Sequence, residues 1–380
     1  MLAFVACDAG PETASTPSAS VAGAGGQLAA GGSVFALGGS TVSSAGESTT
    51  GGVAGTANPS GGSEAGAAGG QPGGAAGQSG AGVANDAGAG GASAGAGWQP
   101  AEEPLNPGGP GGEPPQEWVE HWFEHNQTLQ LAEYNEWVVL YFDAQVDQSQ
   151  TAWLLPFLTE VWKYTVKHYG QFTDGERDGR LYGIFHQNKY SGGHPSTYFD
   201  GSHDYRNVSD AGPGPWPDGS FDLASHEVSH VVEGASRGVH GSPAFGLWGD
   251  SKWAEFYQYD LYVGLGLTDE AERVFDKFSN GSDPFPQANT HWFRDWYYPL
   301  WRDHGGVTVM ANFFLLLAEH FPKNGSDYAR GLNFGEYVHF MSGAVHADLK
   351  QLATEAFGWP TERETEWQNA RQQFSAIVYQ

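Results

Sequence analysis

The chain has 380 residues and a net charge of −27, from 44 acidic and 17 basic residues. A negative field repels phosphate groups, so this balance argues against a nucleic acid partner and against binding of the globular surface to anionic lipid. The first 100 residues contain 27 of the 56 glycines and only three aromatic residues, too little apolar surface to offset the ordering entropy of a packed domain.

The single cysteine of the chain, Cys7, follows the short apolar run 2–6. One cysteine permits no disulfide bond within the chain. A cysteine at the end of an apolar run, followed by small and polar residues, resembles the lipid-attachment site of bacterial lipoproteins. The resemblance implies that residues 1–7 are a truncated lipoprotein signal. It also implies that the protein is secreted or tethered to the cell surface or outer membrane, with Cys7 as its membrane anchor.

The composition divides the rest of the chain into two parts. Residues 8–116 consist mainly of Gly, Ala, Ser, Thr and Pro, which predicts a disordered low-complexity linker. Residues 117–380 contain all 14 histidines and 13 of the 14 tryptophans. This second part is long enough for one large hydrophobic core and is predicted to be the folded domain.

Apolar periodicity predicts strands first and helices afterwards. The first elements are a short helix over 117–126, strands over 137–142 and 180–186 with an amphipathic helix over 151–169 between them, and short strands over 197–199 and 205–208. Helices are predicted near 221–236, 249–265, 268–279, 291–303, 306–320, 333–342, 348–357 and 362–377. This order predicts an α+β fold, with a small mixed sheet followed by a mostly helical C-terminal part.

The most informative segment is the HExxH sequence formed by His226, Glu227 and His230. On a helix, residues four apart lie on one face, so both imidazoles can reach one metal ion. Glu227 lies beside that ion and can accept a proton from its water ligand. Zinc suits two imidazoles, a carboxylate and one open position, so the motif predicts a zinc site with Glu227 as general base.

The residues after the motif indicate which class of third ligand to expect. A metzincin would continue with Gly and a third His, but Glu233 and Ser236 occupy those positions, and His240 lies four residues further on. The segment 248–257 resembles the second helix of gluzincin metallopeptidases, which carries a glutamate ligand. This resemblance favours Glu255 as the third ligand.

Three other acids compete with Glu255 for that role. They are Asp250, Asp260 and Glu233, although Glu233 is more simply interpreted as a surface acid near the helix end. The resemblance to gluzincin metallopeptidases covers residues 130–270. The layout is also similar to that of the secreted basic-secretory-protein peptidases, in which a small sheet precedes the HExxH helix and the next helix carries a Glu. The resemblance implies a zincin-like fold, bound Zn²⁺ and peptidase activity. Residues 270–380 carry no motif.

A zinc peptidase needs a group that stabilises the oxyanion of the transition state. The sequence offers Tyr257, Tyr259 and Tyr262, or a later histidine, and leaves the choice open. Asp222 or Asp260 is expected to orient a ligand imidazole. In zincins the strand before the active helix often binds extended substrate by β-augmentation, which points to 197–199 or 205–208.

We therefore expect a zinc-dependent peptidase that acts on extracellular polypeptide. One alternative is a glycan-active or glycan-binding surface protein, because 14% of the residues are aromatic and carboxylates are plentiful enough for a glycosidase pair. A second alternative is a catalytically inactive zincin-like adhesion module. No motif indicates an oligomeric state.

Overall fold

The computed structural model describes residues 105–250 and 252–380. The predicted signal over 1–7, with Cys7, and the predicted linker as far as residue 104 lie outside the described residues. Residues 105–116 contact the domain. For example, Tyr141 Oη donates a hydrogen bond to the Pro115 carbonyl at 2.6 Å, and Gln171 Nε2 donates to Asn106 Oδ1 at 2.9 Å.

Within the described part of the chain, no helix combines the length and apolar character needed to cross a membrane.

The first half of the described chain forms a six-stranded mixed sheet with the order β1-β2-β3-β4-β6-β5. The strands are β1 (Glu117–Val119), β2 (Thr128–Tyr134), β3 (Val138–Phe142), β4 (Leu181–Phe185), β5 (Gly192–Ser196) and β6 (Asn207–Gly212). Strands β3, β4 and β6 run parallel, whereas β1, β2 and β5 are antiparallel to their neighbours. The prediction of a mixed sheet at this place in the chain is confirmed.

Both faces of the sheet are buried at β3, which explains the continuous apolar run of this strand. Successive residues of a strand point to opposite faces. Val138, Leu140 and Phe142 join the main core beneath the helices, whereas Val139 and Tyr141 join a smaller core on the other face. The smaller core is closed by tryptophans of the β1 region.

The helices occupy the segments where periodicity placed them. They are α1 (Leu154–Tyr169), α2 (Phe221–Ala235), α3 (Phe245–Trp248), α4 (Lys252–Gly264), α5 (Thr268–Asn280), α6 (Tyr298–His304), α7 (Thr308–His320), α8 (Phe334–Val345), α9 (Lys350–Phe357) and α10 (Thr361–Gln373). A π-helical turn, Phe293–Tyr297, leads into α6. The mostly helical C-terminal part is confirmed, and of these ten helices only the single turn of α3 is not predicted by the sequence.

Two predictions in the sheet region are wrong. The segment 117–126 is β1 followed by turns rather than a helix, because Trp118 pairs with Leu129 of β2 and is buried between exposed neighbours. The edge strand is β5 rather than 197–199 or 205–208. Residues 197–199 form a turn, and 205–208 leads into β6, which is paired on both sides.

Helix α2 packs across β5 and β6 and against α4. Ser209 Oγ on β6 donates to the Ala224 carbonyl at 3.1 Å. From the other side, Trp253 Nε1 on α4 donates to the Ser229 carbonyl at 2.7 Å. The HExxH segment is therefore held between the sheet edge and the next long helix.

Gly183, at the centre of β4, has no room for a side chain. A Cβ atom there would lie 2.8 Å from Leu140 Cδ2 and 3.2 Å from Leu158 Cδ1. We expect Gly183→Ala to lower the free energy of unfolding by about 1–3 kcal/mol, as overpacking does in a dense core, measured by urea denaturation. Gly281→Ala is the control, because its Cβ would meet no atom closer than 3.4 Å. Equal effects of the two substitutions would contradict this account of the packing.

Candidate metal centres

The two histidines of the HExxH motif converge. They lie one turn apart on α2, and His226 Nε2 is 3.3 Å from His230 Nε2. Two nitrogen ligands bound to one zinc ion at 2.0–2.1 Å in tetrahedral geometry lie about 3.3 Å apart. The pair is therefore already spaced for a shared ion.

The protonation of His226 also favours metal binding. Burial, followed by the charges of His230 and Lys277, lowers the pKa of His226 to about 3. The imidazole is then neutral across the physiological range, which is the form that binds a metal ion.

Glu233 orients the second histidine. His230 Nδ1 lies 3.1 Å from Glu233 Oε2, and the other oxygen of Glu233 accepts hydrogen bonds from Ser242 Oγ at 2.6 Å and from Trp248 Nε1. Burial lowers the pKa of His230, but the contact with Glu233 more than offsets it, so the net shift is upward. A carboxylate on the remote imidazole nitrogen fixes the ring and strengthens its donor character.

The interpretation of Glu233 as a surface acid is wrong, because its side chain is only 2% exposed. The sequence does place Glu233 three residues after His230 on the same helix face, and this spacing could have indicated its contact with the imidazole. Asp222 and Asp260, which the sequence suggested would orient a ligand imidazole, have other partners. Asp222 accepts from Tyr262 and Arg273, and Asp260 accepts from Tyr164 and Trp301.

Glu227 is fully buried, and neither of its carboxylate oxygens has a hydrogen-bond partner among the described residues. The backbone of β5 lies against it, since a Cβ on Gly193 would be 2.1 Å from Glu227 Oε1. Burial raises the pKa of Glu227 to about 8. The charge of His230 lowers it, and those of Asp210 and Asp250 raise it further. The carboxylate is therefore placed to hold or release a proton near neutral pH.

The described residues form two groups of His, Asp and Glu whose ligand atoms lie within 4.8 Å of one another, and neither group joins Glu255 to His226 and His230. Glu255 is partly buried on α4, and burial followed by the charge of Asp283 raises its pKa to about 7. Lys277 acts electrostatically on both Glu255 and His226. The choice of Glu255 as third ligand stays a prediction.

Asp250, unlike Glu255, acts electrostatically on two residues of the HExxH motif. Its charge contributes to the pKa of both Glu227 and His230. Burial raises the pKa of Asp250, and the charges of His230 and Glu233 act on it in turn. Of the acids that compete with Glu255, Asp250 is therefore the one coupled electrostatically to both Glu227 and His230.

The three tyrosines considered for oxyanion stabilisation are buried. Tyr257 Oη lies 2.7 Å from Thr165 Oγ1, and Tyr262 Oη donates to Asp222 Oδ1 at 2.9 Å. The ring of Tyr259 packs among aromatic side chains of the helical core. Tyr297, which the sequence did not single out, lies in the π-helical turn where the charges of Glu233 and Glu255 both act on it.

A second cluster of possible ligands lies outside the HExxH motif. It consists of Glu120, His125, His186 and Asp210, which we call the buried quartet, and each member is at most 2% exposed. A third group, Glu124, His125 and His194, shares His125 with the quartet and includes an exposed carboxylate. The described residues therefore include buried groups that could hold a metal ion.

No protein-family model, curated protein or solved structure matches this chain. Its chemistry must therefore be inferred from the geometry of its own residues.

The raised pKa of Glu227 predicts a pH-dependent effect on stability. Between about pH 4.5 and pH 8, folded Glu227 keeps a proton that the unfolded chain has released, so its contribution to the free energy of unfolding falls as the pH rises through this window. The amide introduced by Glu227→Gln does not titrate. In the EDTA-treated full chain, we expect the free energy of unfolding of this variant, measured relative to wild type, to rise from pH 5 to pH 8.

Urea denaturation at each pH measures this difference. Glu362→Gln changes an exposed glutamate and is the control, for which we expect a constant difference from wild type. A constant difference for Glu227→Gln as well would contradict the raised pKa.

Proposed function

We propose that this chain is a zinc-dependent peptidase with a zincin-like domain and that it hydrolyses extracellular polypeptide. The observation that carries the proposal is the convergence of His226 Nε2 and His230 Nε2 to 3.3 Å beside the unpartnered carboxylate of Glu227. Two imidazole nitrogens within 3.3 Å of each other, on the same helix as a buried carboxylate that accepts no hydrogen bond from the described residues, suit a metal-assisted hydrolase.

The spacing of the two histidines suits zinc. His226 and His230 would supply two nitrogen ligands, and either Glu255 in the first turn of α4 or Asp250 in the turn before α4 would supply an oxygen ligand. Glu233 would hold His230 in position through Nδ1. Zinc, when bound, supplies Lewis acidity toward a substrate carbonyl and toward water.

Glu227 would carry the proton through the reaction. Its pKa of about 8 lies near the operating pH, where a general base can accept a proton and later donate it. Glu227 would accept the proton of the attacking water and pass it to the leaving amine. The backbone of β5 beside Gly193 would keep the carboxylate shielded from bulk water and aimed at the histidines.

Substrate would approach from the side of His226. His226 is partly exposed, whereas Glu227 and His230 are buried. All five residues of the edge strand β5 are buried and Pro195 has no N–H group, so this strand is poorly suited to pair with an extended substrate.

We expect Glu227→Gln to abolish peptide hydrolysis while leaving the zinc content unchanged, because the residue moves a proton and is not a ligand. Cleavage of a peptide library and zinc analysis of the full chain measure the two properties. Glu272→Gln, an exposed acid on α5, is the control and should retain both.

Retained hydrolysis in Glu227→Gln would contradict the role of Glu227. Zinc bound at His226 and His230 in a wild-type chain that cleaves no peptide would favour an inactive zincin-like module. A wild-type chain without stoichiometric zinc at these histidines would reject the peptidase proposal.

The third ligand is tested by comparing Glu255→Gln with Asp250→Asn. We expect the substitution of the true ligand to weaken zinc binding by at least about 100-fold, since loss of a positioning partner alone weakens it 10–100-fold. Competition with a chromophoric chelator measures the affinity. Asp276→Asn and Glu272→Gln, both exposed on α5, are the matched controls. Unchanged affinity in both test variants would reject a carboxylate ligand from either position.

A further inference from the structure

We propose that the buried quartet, Glu120, His125, His186 and Asp210, is a second metal site that binds a divalent first-row transition ion. The quartet shares no residue with the HExxH motif, so this inference does not rest on the proposed function. The four ligand atoms lie within 4.8 Å of one another, and the side chains are essentially inaccessible to solvent.

The strongest observation is the position of one imidazole nitrogen. His186 Nε2 lies 3.0 Å from Asp210 Oδ1 and 3.1 Å from Glu120 Oε1. Neither contact has the alignment of a ring N–H hydrogen bond, so among the described residues this buried nitrogen has two carboxylate oxygens at ion-pair distance but no aligned hydrogen-bond partner. Buried polar atoms nearly always have a partner. A nitrogen directed between two carboxylate oxygens is the arrangement expected around a shared cation.

His125 completes the arrangement. Its Nδ1 atom lies 3.2 Å from Glu120 Oε1 and 3.2 Å from Asp210 Oδ2. The four nitrogen-to-oxygen separations thus fall between 3.0 and 3.2 Å. Ligands bound to one ion at 2.0–2.2 Å are separated by about 3.0–3.5 Å. Because Asp210 faces His186 with Oδ1 and His125 with Oδ2, a shared ion would be bound either by both oxygens of Asp210 or by one oxygen after a rotation of that carboxylate.

Further side chains hold the quartet in place, as is usual around metal ligands. Asp143 Oδ2 lies 3.3 Å from His186 Nδ1, leaving Nε2 directed inward. Trp122 Nε1 donates to Asp210 Oδ2 at 3.1 Å, and the Gln127 backbone N–H donates to Glu120 Oε2 at 3.0 Å. Each carboxylate therefore keeps one oxygen, Oδ1 of Asp210 and Oε1 of Glu120, facing the imidazole of His186.

The ligand set indicates the class of metal and its role. Two carboxylates balance the charge of a divalent ion, and two imidazoles favour transition metals such as zinc or iron over calcium or magnesium. Four buried protein ligands leave no open position, which is typical of a structural site. The ion would tie the loop that carries Glu120 and His125 to the end of β4 and to β6.

The quartet lies on the opposite face of the sheet from the HExxH helix. Ser209 on β6 contacts α2, so the adjacent residue Asp210 points to the other face. There it contacts Trp122 of the smaller core. One ion could not serve both sites.

Protons are the alternative occupants of the quartet. Burial lowers the pKa of both imidazoles, but Asp210 and Glu120 raise it more, to about 9 for His125 and about 10 for His186. Two protonated histidines would then form an ion-pair cluster with the two carboxylates. The test must separate a metal ion from this proton-bound cluster.

The experiment measures all first-row transition metals by plasma mass spectrometry in the full chain, produced with added zinc and dialysed. We expect two ions per chain in wild type, one in the double variant His226→Ala/His230→Ala, one in Asp210→Asn, and none when all three substitutions are combined. His339→Gln is the matched control, because His339 is a buried histidine on α8 outside both sites. It should retain two ions.

The double variant leaves the quartet intact, so its metal content decides the question even if Asp210→Asn fails to fold. No stoichiometric metal in the double variant would overturn the proposal and favour the proton-bound cluster. If the HExxH proposal alone fails, wild type and the double variant will each hold one ion and Asp210→Asn none. If the quartet proposal alone fails, wild type will hold one ion and the double variant none.

Discussion

The close packing of α2 on β5 determines the chemistry of the HExxH motif. Gly193 allows the strand backbone to lie directly against Glu227, since a Cβ would come within 2.1 Å of Oε1. The contact removes water from the carboxylate without supplying a donor, and the pKa rises to about 8 as a result. A larger residue at position 193 would separate strand and helix or turn Glu227 away from the histidines. The absence of one side chain thus fixes both the position and the proton affinity of the proposed base.

Successive side chains of β6 point to opposite faces of the sheet, so neighbouring polar residues of this strand belong to different candidate sites. Ser209 binds the HExxH helix on one face, and Asp210 joins the buried quartet on the other. The negative charge of Asp210 still raises the pKa of Glu227 through the sheet. A cation in the quartet would offset that charge. The two proposed sites are therefore separate in their ligands but coupled electrostatically through a single strand.

The sequence predicts what depends on local periodicity and misses what depends on pairing across the chain. Helices such as α5 and α10 show a local pattern that needs no partner. Strand β5 reads Gly-Gly-His-Pro-Ser, a poor strand former, and is a strand because β6 pairs with it. For residues 117–126 the sequence predicts a helix, because their aromatic spacing cannot reveal that Trp118 pairs with Leu129.

The same contrast between local pattern and long-range pairing applies to the two candidate metal centres. The HExxH motif is visible because its residues lie within one turn and a half of one helix. The members of the quartet are spread from Glu120 to Asp210 and come together only when β4 and β6 pair in parallel. No spacing in the sequence encodes that arrangement. Glu233 is an intermediate case, since its helix position was evident but its burial was not.

Two glutamates on α2 show how surroundings, rather than residue type, assign roles. Glu227 and Glu233 are six residues apart on one helix, and both are buried. Glu233 meets His230, Ser242 and Trp248, so its oxygens are occupied and it can act only by positioning its partners. Glu227 meets no donor in the described ranges 105–250 and 252–380, so its oxygens stay available to a proton. Carboxylates whose environments differ in this way take different roles in acid–base chemistry, and here the one without a donor among the described residues follows His226 directly in sequence and is coupled electrostatically to His230.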